Sequence, residues 1–359
     1  MPNELRLSYS AISDWRACPQ KWWHTYVEFL KPKVEDSAPN LGTVLHDYLE
    51  TYYNGLKDRV KIADAHAAGL ETVEGHRERL QQLAWTASAI GEDEIGRQLV
   101  EVVDVALRIV TGYYRVRGKA DKKHKILLVE HKIEFPLWED GPIVPMKIDL
   151  VTERDGDVFI WEHKSTKNIP RAGRRLRDLQ TTLYAAVLAE TTGLEPRQVI
   201  WNYLNTKPPV IPELMKGRKD PVLSTRTSMH TTVDIYLEAI AKNGLQVKDY
   251  RNMISQLEES ELSSFFPRWQ LPLMQDEGIL LRDFVTTARE IVAFMEQDDP
   301  IPVRNIGAPC DWCAYAKLTE AAILGGDVAG EKIKRFSIKE PVGKEQANDN
   351  DNGLADILA

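Results

Sequence analysis

Two acidic residues and a lysine stand in neighbouring predicted strands at a spacing that suits hydrolytic chemistry. Asp149 lies within an apolar strand, and Glu162-His163-Lys164 closes the strand that follows. Side chains two apart on a strand project to one face, roughly 6.5 to 7 Å apart, so Glu162 and Lys164 point together. If the two strands pair antiparallel, Asp149 reaches the same place.

These three side chains could perform metal-assisted hydrolysis of a phosphodiester. Two converging carboxylates repel each other unless a cation lies between them, and their oxygens favour Mg²⁺ or Mn²⁺. A lysine beside such an ion positions or deprotonates a water, or neutralises the charge that develops on phosphorus. The spacing alone also fits an exposed cross-strand ion pair, and at this point both interpretations stay open.

The three cysteines form a second group with chemical potential. Cys310 and Cys313 make a C-x2-C pair, and Cys18 is distant in the sequence. An odd number of cysteines in a chain without a secretory leader favours free thiols or a metal site over a disulfide framework.

Helices are predicted in the first third of the chain, followed by strands. An aromatic-rich amphipathic helix is expected over 8–29, a second from about 41 that carries His46, and an all-helical insertion over about 57–118. From Lys125 the hydrophobic period changes to two, which predicts three strands joined by tight turns. These strands contain Asp149 and Glu162.

The second half is predicted to return to helices. A helix over 174–192 and a strand over 198–204 follow the three strands, and a helical segment is expected over about 229–297. The polar, glycine-containing segment 325–359 is expected to be a flexible acidic tail. We therefore expect one domain over 1–324.

Composition excludes several classes of protein. The 359 residues are 43% hydrophobic and 28% charged, which indicates a globular chain with a sizeable core. No apolar run is long enough for a membrane span, and Met1 to Glu4 lack a leader pattern, so a cytoplasmic location is expected. The net charge of −8 argues against a protein that coats nucleic acid. Local basic clusters could nevertheless follow a phosphate backbone or be ordinary solvated surface.

Several motifs follow the order found in the PD-(D/E)xK nuclease superfamily, and the chain resembles its RecB-like exonucleases, the group with CRISPR-associated and AddB-type iron-sulfur members. The matching motifs are Leu7-Ser8-Tyr9-Ser10, Cys18-Pro19, Gly42-x-x-x-His46, Asp149, Glu162-x-Lys164 and Gln180-x-x-x-Tyr184. Ordered matches are far more specific than any single one. One departure is Met146, where the family often has glycine.

The resemblance implies an α/β fold with a restriction-endonuclease-like core, a central mixed sheet flanked by helices, a helical insertion and a helical C-terminal region. It also implies a metal held by His46, Asp149, Glu162 and the backbone carbonyl of His163, with Lys164 serving the attacking water. Because an imidazole suits Mn²⁺ better than Mg²⁺, activity with either ion is expected.

Further residues take roles from their place near this site. Gln180 and Tyr184 lie four apart on one helix face, where they would brace the site, touch DNA or simply pack. The basic residues expected to follow the DNA backbone are Arg171, Arg174, Arg175 and Arg177.

In the same family group, four cysteines hold a [4Fe-4S] cluster that joins the two ends of the nuclease domain. Here Cys18, Cys310 and Cys313 match, while Thr319 takes the fourth position, and a hydroxyl is a poor iron ligand. A cluster with one other ligand, no cluster, and zinc on three thiolates all remain open.

The function that the resemblance implies is a metal-dependent DNA exonuclease acting on single strands or DNA ends, 5′ to 3′, in recombination, repair, replication or phage and CRISPR DNA processing. Two alternatives are a catalytically idle module that binds DNA ends or protein, and an endonuclease. The glycines at 325 and 330 are not followed by Gly-Lys-Ser/Thr, so no ATP site is expected and a helicase or recombination protein would be a separate partner.

Overall fold

A central five-stranded mixed sheet organises the fold of this computed structural model, which describes residues 5–175, 178–215, 222–226, 228–273 and 278–339. The sheet order is β2-β3-β4-β5-β6. A separate two-stranded sheet pairs β1 with β7. The strands are β1 Leu30–Pro32, β2 Lys125–Pro136, β3 Ile143–Arg154, β4 Asp157–Thr166, β5 Pro196–Asn205, β6 Arg268–Pro272 and β7 Phe336–Ile338.

The meander predicted from the period of two is confirmed. β2, β3 and β4 pair antiparallel in sequence order, and β4 then pairs parallel with β5. Asp155 and Gly156, with φ of 56° and 87°, form the turn between β3 and β4, and two consecutive positive φ values match the twist of a tight hairpin.

Helices cover both faces of the sheet. One core contains side chains of α1, α2, α8 and α11, and the other contains those of α3 to α6. The helices are α1 Tyr9–Ala17, α2 Pro19–Tyr26, α3 Ser37–Lys57, α4 Ile62–Glu74, α5 Arg77–Ala89, α6 Asp93–Asp121, α7 Ala172–Arg175, α8 Leu179–Thr192, α9 Val233–Lys242, α10 Arg251–Ser264, α11 Gly278–Met295, α12 Ala316–Ile323 and α13 Val328–Arg335. The expected restriction-endonuclease-like architecture is confirmed.

Several elements differ from the sequence-based expectation. The first helix breaks at Cys18, whose backbone is extended because the residue before a proline avoids the helical region. Strand β6 was not predicted, since its five residues gain their hydrogen bonds only from distant β5. In the segment 325–359, expected to be flexible, residues 328–338 instead form α13 and β7, while residues 340–359 lie outside the described part.

Among the described helices, none combines the length and apolar character that crossing a bilayer requires.

Candidate metal-dependent active site

The candidate active site begins where β3 and β4 separate. Their last pair is Leu150 with Trp161, so Asp149 and Glu162 are the next residues on each strand. The backbone N–H of His163 donates to Asp149 Oδ2 at 2.7 Å, which fixes this carboxylate beside β4. The antiparallel arrangement assumed from the sequence therefore brings the two acids together.

Glu162 is the most constrained carboxylate of the site. It is 1% exposed, and its Oε2 has no hydrogen-bond partner within the described part of the chain. Burial first, and the charge of Asp149 second, raise the pKa of Glu162 to about 8. A buried acid with an oxygen that lacks a partner among the described residues, next to a second acid, is the environment that a divalent cation stabilises. The ligand atoms that lie within 4.8 Å of one another, however, belong to His46, Glu130 and Asp149 and do not include Glu162.

Lys164 projects from β4 on the same side as Glu162. Its Nζ donates to Glu162 Oε1, and it also lies 3.4 Å from Gln180 Oε1. Burial lowers the pKa of Lys164, but the negative charge of Glu162 outweighs it and the net pKa is raised. Lys164 is thus a cation at neutral pH, suited to orienting a water or neutralising phosphate charge.

Gln180 and Tyr184 brace this lysine from α8. Gln180 accepts through Oε1 from Lys164 and donates through Nε2 to the Tyr184 hydroxyl at 3.0 Å. The helix is started beside the site by Asp178, whose side chain accepts from the Thr181 N–H. A series of side-chain hydrogen bonds therefore connects Lys164 to the buried face of α8.

Helix α3 supplies His46 to the site. Its Nδ1 is 3.9 Å from Asp149 Oδ1 and also 3.9 Å from Glu130 Oε1. Burial lowers the pKa of His46, yet the nearby negative charges of Glu130 and Asp149 raise it overall. Gly42 allows the helix to approach, because a Cβ there would lie 3.3 Å from Ser165 Oγ on β4.

Glu130 is a site residue that the sequence analysis missed. One ligand atom each from His46, Glu130 and Asp149 lie within 4.8 Å of one another, which is compatible with one metal ion. Glu130 has a φ of 47° and forms an ion pair with Lys147. The available signal was an acid at the end of the apolar run 126–129, opposite the strand that carries Asp149.

The predicted DNA-contacting arginines are only partly near an accessible surface. Arg171 is exposed. Arg175 is buried, with its guanidinium 4.6 Å from the Trp269 ring and its Nη1 donating to the Pro170 carbonyl at 2.6 Å. Arg177 and the side chain of Arg174 lie outside the described residues.

The three cysteines lie around one pocket formed by segments from the first and last parts of the chain. Cys18, Cys310, Cys313 and Thr319 line one pocket, together with His24. Yet the three sulfurs are not grouped within 4.8 Å of one another, whereas tetrahedral zinc with bonds of about 2.3 Å holds its sulfurs roughly 3.8 Å apart. As placed, the three sulfurs are therefore too far apart for one zinc ion on three thiolates.

A sequence profile described as the PD-(D/E)XK nuclease superfamily matches residues 6–318. The chain belongs to the PD-(D/E)XK nuclease superfamily. It is therefore of the nuclease class, whose members hydrolyse phosphodiesters with divalent metal ions.

Other comparisons add little. No protein of curated function matches the sequence. A crystal structure from Eubacterium rectale, of a protein provisionally described as an exonuclease, is similar to 73% of this chain and 84% of its own, with 13% identity and a TM-score of 0.35. Similarity at that level supports no inference about this chain.

Proposed function

We propose that this nuclease is a metal-dependent deoxyribonuclease that shortens DNA from its ends, with single strands as substrates. The observation that carries the catalytic part is the buried Glu162, which accepts from Lys164 through Oε1, feels the charge of Asp149, and has no hydrogen-bond partner for Oε2 in the described part of the chain. A cation would remove the repulsion between the two acids and leave Lys164 free to act on substrate.

The metal ligands in this proposal are His46, Asp149, Glu162 and the backbone carbonyl of His163, and the geometry adds Glu130. When bound, Mg²⁺ or Mn²⁺ supplies Lewis acidity and an activated water. Lys164 orients this water or neutralises the phosphate, while Gln180 and Tyr184 hold the lysine in place.

DNA would approach along the surface beyond β4, where Arg171 is exposed. The candidate site lies where β3 and β4 separate, and its carboxylates are buried. A single DNA strand or a frayed DNA end suits this site, because only one phosphate backbone has to reach the carboxylates. The 5′ to 3′ direction, a separate helicase or recombination protein as partner, and the [4Fe-4S] cluster rest on the family resemblance alone.

The test of this function is degradation of end-labelled single- and double-stranded DNA with Mg²⁺ or Mn²⁺. We expect the natural protein to shorten DNA, and Lys164→Ala to lose at least about 100-fold in rate while its melting temperature stays within a few degrees. Lys242→Ala, on the exposed end of α9, is the matched control with full activity. The ladder from each labelled end gives the direction.

The same assay distinguishes two alternative functions, an endonuclease and a catalytically idle binding module. A covalently closed single-stranded circle should remain intact, and its cleavage would favour an endonuclease. If the natural protein binds DNA but cleaves nothing with either ion, the idle binding module becomes the better description.

A further inference from the structure

His163 links the candidate metal site to a buried polar network on the opposite face of β4. Its backbone serves the metal side, because its N–H donates to Asp149 Oδ2. Its imidazole is 2% exposed and stacks on Tyr53 with the ring centroids 5.5 Å apart and the planes at 5°, and its centroid also lies 6.2 Å from that of the His46 ring. The ring's Nδ1 lies 3.0 Å from Asn202 Nδ2 on β5.

The orientation of the Asn202 amide is determined by Arg268. A guanidinium has only donors, and Arg268 Nε donates to Asn202 Oδ1 at 2.8 Å, so the amide nitrogen must face His163. This nitrogen then donates to His163 Nδ1, which therefore acts as an acceptor. Arg268 thus sets the direction of a hydrogen bond to a residue that it does not touch.

Arg268 itself is held on several sides. Its Nη1 lies 2.6 Å from Asp121 Oδ1, and its Nη2 donates to the Tyr113 hydroxyl at 2.6 Å. Its guanidinium also lies 4.7 Å from the ring of Trp161. Trp161 and His163 are the residues directly before and after Glu162 on β4. The network therefore contacts β4 at both residues adjacent to the buried carboxylate.

We propose that Asn202 and Arg268 are positioning residues of the metal site, which hold the His163 and Trp161 side chains and thereby fix the His163 peptide and the Glu162 carboxylate on the other face of β4. The inference rests on the metal-dependent activity proposed above. Residues that orient metal-binding groups commonly change metal affinity about 10- to 100-fold when they are removed.

The test compares two asparagines of the same strand. Asn202→Ala removes the link, whereas Asn205→Ala removes a second buried asparagine, whose partners Ser264 and Lys207 lie outside the network. Binding of Mn²⁺ to the full chain, without DNA, is measured by calorimetry, and the Mn²⁺ dependence of cleavage is measured in parallel.

We expect Asn202→Ala to weaken Mn²⁺ binding about tenfold and to regain most of its cleavage rate at saturating Mn²⁺. Asn205→Ala should lose thermal stability without changing Mn²⁺ affinity. Equal Mn²⁺ affinity in the natural protein and Asn202→Ala, at similar melting temperatures, would overturn the positioning role even if DNA is cleaved normally.

The inference and the proposed function can fail separately. A natural protein that binds Mn²⁺ but cleaves no DNA contradicts the function, while the Asn202→Ala shift still decides the inference. A natural protein that binds no Mn²⁺ contradicts both. If Asn202→Ala does not fold, Arg268→Lys replaces it, since a lysine keeps a cation beside Asp121 but lacks the Nε that orients Asn202, and the same tenfold loss is expected.

Discussion

The two regions that the sequence marks as metal sites are built in opposite ways. At the end of β3 and β4, the acids are buried and crowded, and a carboxylate oxygen of Glu162 is left without a partner in the described residues. At the cysteine pocket, the three sulfurs do not all lie within 4.8 Å of one another, and burial raises the pKa of the Cys313 thiol, which favours its neutral form. Only the acidic site carries an electrostatic cost that a cation would remove.

The chain ends near the cysteine pocket are also joined without any cofactor. β1 pairs with β7, and the Tyr315 hydroxyl donates to the Leu30 carbonyl at 2.8 Å. The Asn305 amide donates to the Ala17 carbonyl at 2.8 Å, next to Cys18. A cation at the acidic site would therefore serve the proposed chemistry, whereas a cluster at the pocket would reinforce contacts that the protein already makes.

The largest effect is expected for Glu162→Gln. The substitution keeps the shape but removes the charge that would hold the ion, so cleavage should fall at least about 1,000-fold and Mn²⁺ should no longer raise the melting temperature. Activity assays and thermal melts with Mn²⁺ or chelator check this. Glu153→Gln, at the exposed end of β3, is the control. A Glu162→Gln protein with a tenth of the natural rate would show that this carboxylate is not a ligand.

A smaller loss is expected for Glu130→Gln. Its carboxylate is 3.9 Å from His46 Nδ1 and belongs to the same group of ligand atoms as Asp149, so its removal should weaken Mn²⁺ binding about 10- to 100-fold. The matched control is Glu134→Gln on the same strand, whose partner is Arg6. An unchanged Mn²⁺ affinity would place Glu130 outside the metal site and leave it as the ion-pair partner of Lys147.

Much of the fold was predictable because its signals are local. Alternating hydrophobicity and the Asp155-Gly156 turn specify β3 and β4, and the pairing of these strands then brings Asp149 to Glu162. Lys164 followed from its spacing to Glu162 along one strand, whereas Gln180 followed from the family motif Gln-x-x-x-Tyr. Pro19 is a local signal for the helix break at Cys18.

The missed features depend on contacts between distant segments. Glu130 becomes part of the site only because α3 docks over β2 and β4, and no local pattern reports that docking. The short strand β6 is specified by pairing with β5, and Arg268 reaches Asn202 only through that pairing. Arg175 looked like a surface residue by charge, but the rings of Trp269 and Tyr203 cover its guanidinium.

The pH dependence of stability offers a further contrast between the two regions. In metal-free protein, the pKa of Glu162 is raised to about 8 from an unfolded value near 4.5, so the folded state binds more protons between these values. The contribution of Glu162 to the free energy of unfolding is therefore full below about pH 4.5 and is lost as the pH rises through about 8, by an amount on the order of a few kcal/mol.

Chemical denaturation at pH 5 and pH 8 with chelator should show this loss in the natural protein and a smaller one in Glu162→Gln. Saturating Mn²⁺ should reduce the difference, because the bound ion favours the charged carboxylate. Equal pH dependence in the natural protein and Glu162→Gln would contradict the raised pKa.

The smallest effect is expected at the cysteine pocket. If protein contacts join the chain ends, Cys313→Ser should keep most of the cleavage rate, while Phe336→Ala should cost about 3 kcal/mol or more, because Phe336 is buried against Leu30 and Tyr315. Anaerobic purification, absorbance near 400 nm and iron analysis report any cluster directly. The opposite result would be iron in the natural protein together with a greater loss of stability in Cys313→Ser than in Phe336→Ala. In that case the cluster, and not the protein contacts, would be the main connection between the chain ends. A colourless, iron-free protein with full activity would leave the thiols without a cofactor role, since β1, β7 and the Tyr315 hydrogen bond then suffice to hold the ends together.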